Sequence, residues 1–231
     1  MLKNVIGLMS GTSMDGIDAA FLKTDGLCHV EAGEAITVPY TEDLRKQISE
    51  VVTSCKVSKT IEELVTVIHA EVITQLLNKK KSSSNEIDLI GFHGHTIYHN
   101  PDIRKTLQIG DGELLAKLTG VDVVCDFRSN DVMHGGQGAP LVPLYHRAVA
   151  SQLAKPLAIL NLGGVANITW LGHEDELLAF DTGPGNALLD DFMNFRLGEK
   201  QDTGGKMALS GNVDQSILAT LLEHPYFSQN S

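Results

Sequence analysis

The small, hydroxylated and acidic residues of this chain gather at turns, where backbone amides and carboxylates can meet a ligand. Ser10-Gly11-Thr12-Ser13-Met14-Asp15-Gly16 follows the apolar run Val5 to Met9. A turn that aims several N–H groups at one point needs residues tolerant of unusual φ/ψ, and Gly with small hydroxyl residues meets that need. Gly11, Thr12, Ser13, Met14, Asp15 and Gly16 therefore form a candidate phosphate grip, with the Thr12 and Ser13 hydroxyls as extra donors. Asp15 could orient a hydrated magnesium ion, which takes oxygen ligands and keeps several waters. An ordinary hairpin turn accounts for the same composition.

Asn161-Leu162-Gly163-Gly164-Val165-Ala166-Asn167 repeats the arrangement of apolar strand, small tip and returning strand. Two such tips could face one triphosphate from opposite sides. No G-x-x-x-x-G-K-[ST] segment is present, and Gly135-Gly136-Gln137-Gly138 does not follow a strand as a dinucleotide fingerprint requires. Asp181 ends an apolar strand just ahead of a helix, where α/β sheets place ligand sites, and it is the first choice for a general base. Helix capping by Asp181 or Thr182 is the structural alternative.

Phe92-His93-Gly94-His95-Thr96 with His99 invites a metal reading, which fails because zinc needs three or four converging ligands and no cysteine or carboxylate has matching spacing. Histidines on a strand-end loop more often bond a polar ligand or the loop itself. Arg128 could clamp a carboxylate bidentately, with a buried ion pair as the alternative. Gly11-Thr12-Ser13-Met14 resembles a subtilisin-type nucleophile segment, but Ser13 precedes every candidate partner, the wrong chain order for that triad. The two Asp-Thr-Gly segments, at Asp181 and Asp202, are separated by one helix and cannot supply the equivalent lobes of an aspartic protease.

The elements that must hold these residues read as α/β. Val5–Met9 and Ile17–Leu22 form a hairpin with a large polar tip, and a third strand is expected near Ala35–Val38. Thr41–Ser54 and Thr60–Lys79 have helical spacing, and the Lys79–Asn85 run is a solvated loop or helix end. Then follow strand Ile87–Phe92, a Gly-rich loop, helix Glu113–Leu118 and strand Val121–Phe127. A hairpin of Leu157–Leu162 and Asn167–Leu171 leads to strand Leu177–Phe180, helix Ala187–Leu197 and a last helix near Val213–Glu223.

With 231 residues, 42% of them hydrophobic, the chain can bury a sizeable core. Its formal net charge of -11 argues against sequence-independent nucleic-acid binding, which needs Lys and Arg to neutralise phosphates. An anionic ligand must then be held locally. Three scattered cysteines suggest neither disulfides nor zinc, so a reducing cytoplasm is expected. The first apolar run is too short for a signal or membrane segment.

Taken in order, Ile6–Asp18, Gly91–Thr96, Gln108–Gly112, Asp126–Arg128, Gly135–Pro143, Asn161–Thr169 and Phe180–Asn186 resemble the anhydro-N-acetylmuramic acid kinase family, over Ile6 to about Phe227. The resemblance implies the actin-like ATPase, ribonuclease H-like fold, with ATP and Mg2+ in a cleft between two lobes. It places residues 1 to about 150 in an N-terminal lobe with the first phosphate hairpin and sugar-site loops. Residues from about 151 to 231 begin a second lobe with the second hairpin and the base.

The resemblance also implies the chemistry. Water opens the 1,6-anhydro ring while O6 is phosphorylated, giving N-acetylmuramic acid 6-phosphate and ADP. The residue matching Asp181 activates the water. The segment through Ile17 and Asp18, with Gly163, Gly164 and Asn167, binds ATP phosphates, and His93, Thr96, Arg128 and Gly183 are expected at the sugar. The partner is this small molecule, with no nucleic acid or membrane; a homodimer stays open. Family members are longer, so the chain is expected to be a fragment, inactive alone, with apolar area uncovered. Another sugar kinase of the same fold, or a silent nucleotide-binding scaffold, is the competing reading.

Overall fold

The computed structural model describes residues 1–12 and 14–228, which form two compact units that meet in sequence between Leu141 and Val142. The first opens with β1 (Lys3–Ser10), β2 (Gly16–Thr24) and β3 (Val30–Pro39). Alternation of apolar residues along β1 and β2 turns Ile6, Leu8, Ile17, Ala19 and Phe21 inward, as a half-buried sheet requires. Two helices follow. α1 (Glu42–Ser54) starts where the Thr41 side chain accepts the Leu44 N–H, and α2 (Lys59–Lys80) where Ser58 accepts that of Ile61. The Lys79–Lys81 run is the end of α2, closed by Lys81 in the left-handed region.

β4 (Leu89–Asn100) runs further than the six-residue strand expected from sequence and continues into a hairpin with β5 (Lys105–Ile109), so the expected Gly-rich loop is largely strand. The reason is a bulge. Leu8 of β1 pairs with Phe92, but Ser10 pairs with His95, so β4 spends one extra residue between them and resumes its pairing. Gly94 takes φ +68° there, and a Cβ on it would strike the Ile109 carbonyl. Next come α3 (Gly112–Thr119), capped by the Asp111 carboxylate, β6 (Val123–Cys125) and the short α4 (Ser129–Met133).

The sheet has the order β3-β2-β1-β4-β5, with β6 also on β4. β1, β2 and β3 are antiparallel, whereas β4 is parallel to both β1 and β6. That is the ribonuclease H-like arrangement which the resemblance implies. Leu44 and Ile48 of α1, Val65, Val72 and Leu76 of α2, and Leu115 of α3 pack with Ile6, Ile17, Ile90 and Phe92 in one core. Each such side chain contributes roughly 1.5–3 kcal/mol by leaving water.

The second unit begins with α5 (Pro143–Val149) and a three-stranded antiparallel sheet of β7 (Leu157–Leu162), β8 (Val165–Leu171) and β9 (Leu177–Pro184). α6 (Ala187–Leu197), α7 (Lys206–Ser210) and α8 (Gln215–Leu222) follow. His146 of α5 meets the Thr169 hydroxyl at 2.9 Å, so α5 lies on the face carrying Thr169. On the other face Leu160, Ile168 and Phe180 stand in a row across the strands, and Leu160, Phe180 and Leu178 are exposed. Phe195 and Leu209, on α6 and α7, are more than four-fifths exposed, so this unit leaves much apolar surface uncovered among the described residues.

Candidate active site

The tip between β1 and β2 is a tight structure. The Met14 N–H donates to the Gly11 carbonyl at 3.0 Å, and Met14 adopts φ 55°. Gly16 cannot carry a side chain, because a Cβ would run into the Val38 carbonyl of β3. The Tyr40 N–H ties the tip down by donating to the Asp15 carbonyl at 3.0 Å. Thr12 and Asp15 are exposed and free to meet a ligand, whereas Ser13 lies outside the described residues. Ile17 puts its side chain wholly in the core, and Asp18 accepts the Thr37 hydroxyl at 2.6 Å, so these two brace the tip.

The β4 bulge presents His93 to Arg128. The Arg128 Nε–H donates to His93 Nε2 at 3.0 Å, which makes Nε2 an acceptor and leaves the ring proton on Nδ1, 2.9 Å from the Gly94 carbonyl. Burial, and then the neighbouring guanidinium, hold His93 below the usual histidine range and so neutral, against the opposing pull of the Gly94 bond. Both ring nitrogens are occupied within the protein. His93 thus aims Arg128, whose Nη1 also donates to the Gly138 carbonyl, while Nη2 has no hydrogen bond among the described residues. Asp131 completes the clasp by accepting the Gly138 N–H at 2.7 Å. Thr96 lies beside this group on β4 and accepts from Gln108 at 3.3 Å. A cavity of about 230 Å³ opens here, lined by His93, Gln108, Cys125, Asp126 and Ser129.

In the second unit the expected residues converge. β9 extends through Pro184, so Asp181 sits within the strand and not in the loop expected after Phe180. Asn161, Asn167 and Asp181 stand in one row across β7, β8 and β9. Immediately beyond lie the Gly163–Gly164 tip and Gly183, which pairs with Ala166 and takes φ +135°. The tip's carbonyls point toward α6: Gly163 accepts the Asn186 N–H at 2.7 Å, and Gly164 accepts those of Gly185 and Ala187 at 2.9 and 3.2 Å. No described hydrogen bond uses the N–H of Gly163 or Gly164, so the tip keeps positive ends available for an anion. A mostly apolar cavity of about 790 Å³ adjoins Asp181, lined by Gly164, Gly183, Leu188, Leu221 and Tyr226. The Tyr226 hydroxyl donates to the Asp181 carbonyl there.

Sequence reasoning assigned no role to Tyr40, Asn161, Asp131 or Gln108. Asn161 and Gln108 left a signal, the first at the head of the Gly-Gly motif and the second at the head of the Gln108–Gly112 segment. Tyr40 meets Ser10 thirty residues away and Gln108 reaches Thr96 across the β4–β5 hairpin, while Asp131 closes a local loop onto Gly138.

Among known proteins, the residue pattern of the anhydro-N-acetylmuramic acid kinase family matches residues 3–231. A protein so named from Paramagnetospirillum magneticum is 50% identical over 96% of this chain and 62% of its own length. The namesakes from Rhodopseudomonas palustris and Rhodospirillum rubrum are 45% and 51% identical over 99% and 96% of this chain, and 66% and 60% of their own lengths. The chain therefore spans about three fifths to two thirds of the relatives it matches. In structure it is similar to the Aquifex aeolicus Ppx/GppA phosphatase at TM-score 0.44 and 13% identity, covering 83% of this chain and 55% of that one, too distant a likeness to carry weight. Identity at this level across almost the entire sequence means that the chain belongs to the anhydro-N-acetylmuramic acid kinase family.

Proposed function

We propose that this chain provides the phosphate-holding and base-bearing parts of an ATP-dependent kinase acting on 1,6-anhydro-N-acetylmuramic acid. The supporting observation is the row Asn161, Asn167, Asp181 beside a Gly-Gly tip with unengaged amides. It puts a carboxylate next to an anion cradle. In the proposed reaction Asp181 takes a proton from water. The water oxygen bonds to the anomeric carbon, the bond from that carbon to O6 breaks, and O6 receives the γ-phosphoryl group of ATP. ADP and the 6-phosphorylated sugar leave.

Phosphoryl transfer asks chiefly for positioning and charge neutralisation. Gly11, Thr12, Met14, Asp15 and Gly16 are assigned to the phosphates, as are Gly163, Gly164 and Asn167. Arg128, aimed by His93, is assigned to the sugar's lactyl carboxylate through its unoccupied Nη2 edge, with Thr96 and Gly183 near the ring. Magnesium, when bound, would neutralise phosphate charge. An exposed carboxylate such as Asp15 suits it through water, the mode this ion favours. No helix among the described residues is long and apolar enough to cross a membrane. We place the reaction in the cytoplasm, where ATP is available, as a step in reuse of cell-wall sugar.

The test is ADP release with anhydro-sugar and Mg·ATP in H2 18O, run on this chain and on one carrying the full length of its relatives. The expected result is label at the anomeric hydroxyl in the longer chain and little turnover in the shorter, whose apolar sheet face is uncovered. A phosphorylated product without label would point instead to a kinase that deprotonates a sugar hydroxyl. Absence of ADP from both chains would favour a silent nucleotide-binding scaffold.

A further inference from the structure

Beneath the first hairpin lies a buried polar cluster. Ser10, the last residue of β1, is 1% exposed, and its hydroxyl is bonded both to the Tyr40 hydroxyl and to Nδ1 of His95, the latter at 2.7 Å. His95 is fully buried, and its other nitrogen, Nε2, has no partner among the described residues. A buried imidazole with half its hydrogen-bonding capacity unmet is less favourable to the fold than an apolar side chain of similar size. Its benefit must then lie in the one bond it makes.

That bond joins two separate pieces of the site. On one side, Ser10 leads directly into Gly11, and Tyr40 holds the far end of the same hairpin through the Asp15 carbonyl. On the other, His95 is the residue at which β4 regains its register with β1 after the bulge, one step from Thr96 and two from His93. We infer that the Ser10 hydroxyl, held between Tyr40 and His95, is a positioning node that fixes the phosphate hairpin and the His93–Thr96 stretch in one geometry. The roles of those two segments rest on the function proposed above; the network does not.

Two substitutions separate bonding from packing. His95→Leu keeps most of the volume and loses the bond, whereas His95→Asn keeps a hydrogen-bonding group near the Nδ1 position and loses volume. Amide hydrogen exchange on the full 231-residue chain reads the outcome. In His95→Leu, exchange should accelerate about tenfold, the upper range for one net hydrogen bond, at the Tyr40 N–H and at the amides of 93–96 together. His95→Asn should restore both, with Ile6 and Ala19 unchanged throughout. In a chain carrying the full length of its relatives, Mg·ATP and anhydro-sugar titrations should show both affinities falling in the Leu variant and recovering in the Asn variant. Fast exchange in Asn with wild-type behaviour in Leu, or a response confined to one segment, would overturn the inference. If the unaltered chain, extended to the full length of its relatives, binds neither ligand, the functional reading fails, and the exchange pattern alone still decides the node.

Discussion

Asp181 stands directly opposite Asn167 in the β8–β9 ladder, while the next pair toward the tip, Ala166 with Gly183, leaves Thr182 as an extra residue. A carboxylate held by a strand is positioned more tightly than one on a loop.

Asp181→Asn keeps the shape and the ladder but removes the proton acceptor. In a chain carrying the full length of its relatives, turnover should fall by about 10²–10⁴-fold, the usual worth of a general base. Mg·ATP affinity should stay within about threefold, as for any group outside the phosphate contacts. Calorimetry and ADP release check the two halves, and near-normal turnover would remove Asp181 from its role.

Arg128→Lys retains charge and loses the planar fork that meets His93 and Gly138 simultaneously. Anhydro-sugar binding should weaken by about tenfold or more, in line with loss of the charge-assisted contact assigned to Nη2. ATP binding should be spared. Titration of a sugar lacking the lactyl group should show almost no difference between wild type and variant.

Gly16→Ala forces a methyl group against the Val38 carbonyl. Overpacking of this kind costs about 1–3 kcal/mol. Urea unfolding should show a lowered midpoint, and the displaced hairpin should bind Mg·ATP less well. A variant as stable as wild type would mean that β3 moves aside freely.

Burial is the main reason that His69 and His95 titrate low, each at about 4, against 6.5 for the free side chain; the Val65 carbonyl, 2.7 Å from His69 Nδ1, opposes the shift there. Because the native state resists protonation, the unfolded chain takes up more protons as pH falls below about 6.5, and the fold loses stability down to about 4. Each histidine adds a slope of about 1.4 kcal/mol per pH unit in that window. Denaturant unfolding at pH 7 and 5 should show the fall, and His69→Leu should reduce it. An unchanged slope would mean that His69 is protonated in the fold.

Local rules made much of this legible in advance. Thr41 marks the start of α1, and α6 has the bounds its spacing predicts, whereas α2 and α3 begin one residue ahead of the expected Thr60 and Glu113, capped by Ser58 and Asp111. Apolar alternation marks β1 and β2, and Gly-rich tips between strands mark both hairpins. Residues 93–100 were not readable as strand because the bulge shifts the pattern by one position, and β5 is too short and polar to stand out. Asp181 was found from its position after an apolar run, but the pairing that carries it to the middle of a longer strand depends on β8. Nor does spacing reveal that Arg128 and His93, 35 residues apart, meet. Such contacts are products of topology.

The extra residue in β4 also sets where this sequence can vary in length. Ahead of the bulge the strand is tied to β1 and β6 and fills the core; after it, the same strand pairs with β5 and carries Thr96. Deleting Gly94 would restore unbroken pairing with β1 without a slip downstream, since Leu8–Phe92 and Ser10–His95 would then be two residues apart on both strands. Phe92, His95 and Ile97 would share one face, and the loss would fall on the bulge geometry that presents His93 to Arg128. An insertion at the turn between Asn100 and Lys105 would merely lengthen a surface connection. A deletion at residue 94 should therefore disturb the His93–Arg128 pair while sparing the core, and a length change about ten residues later should leave both in place.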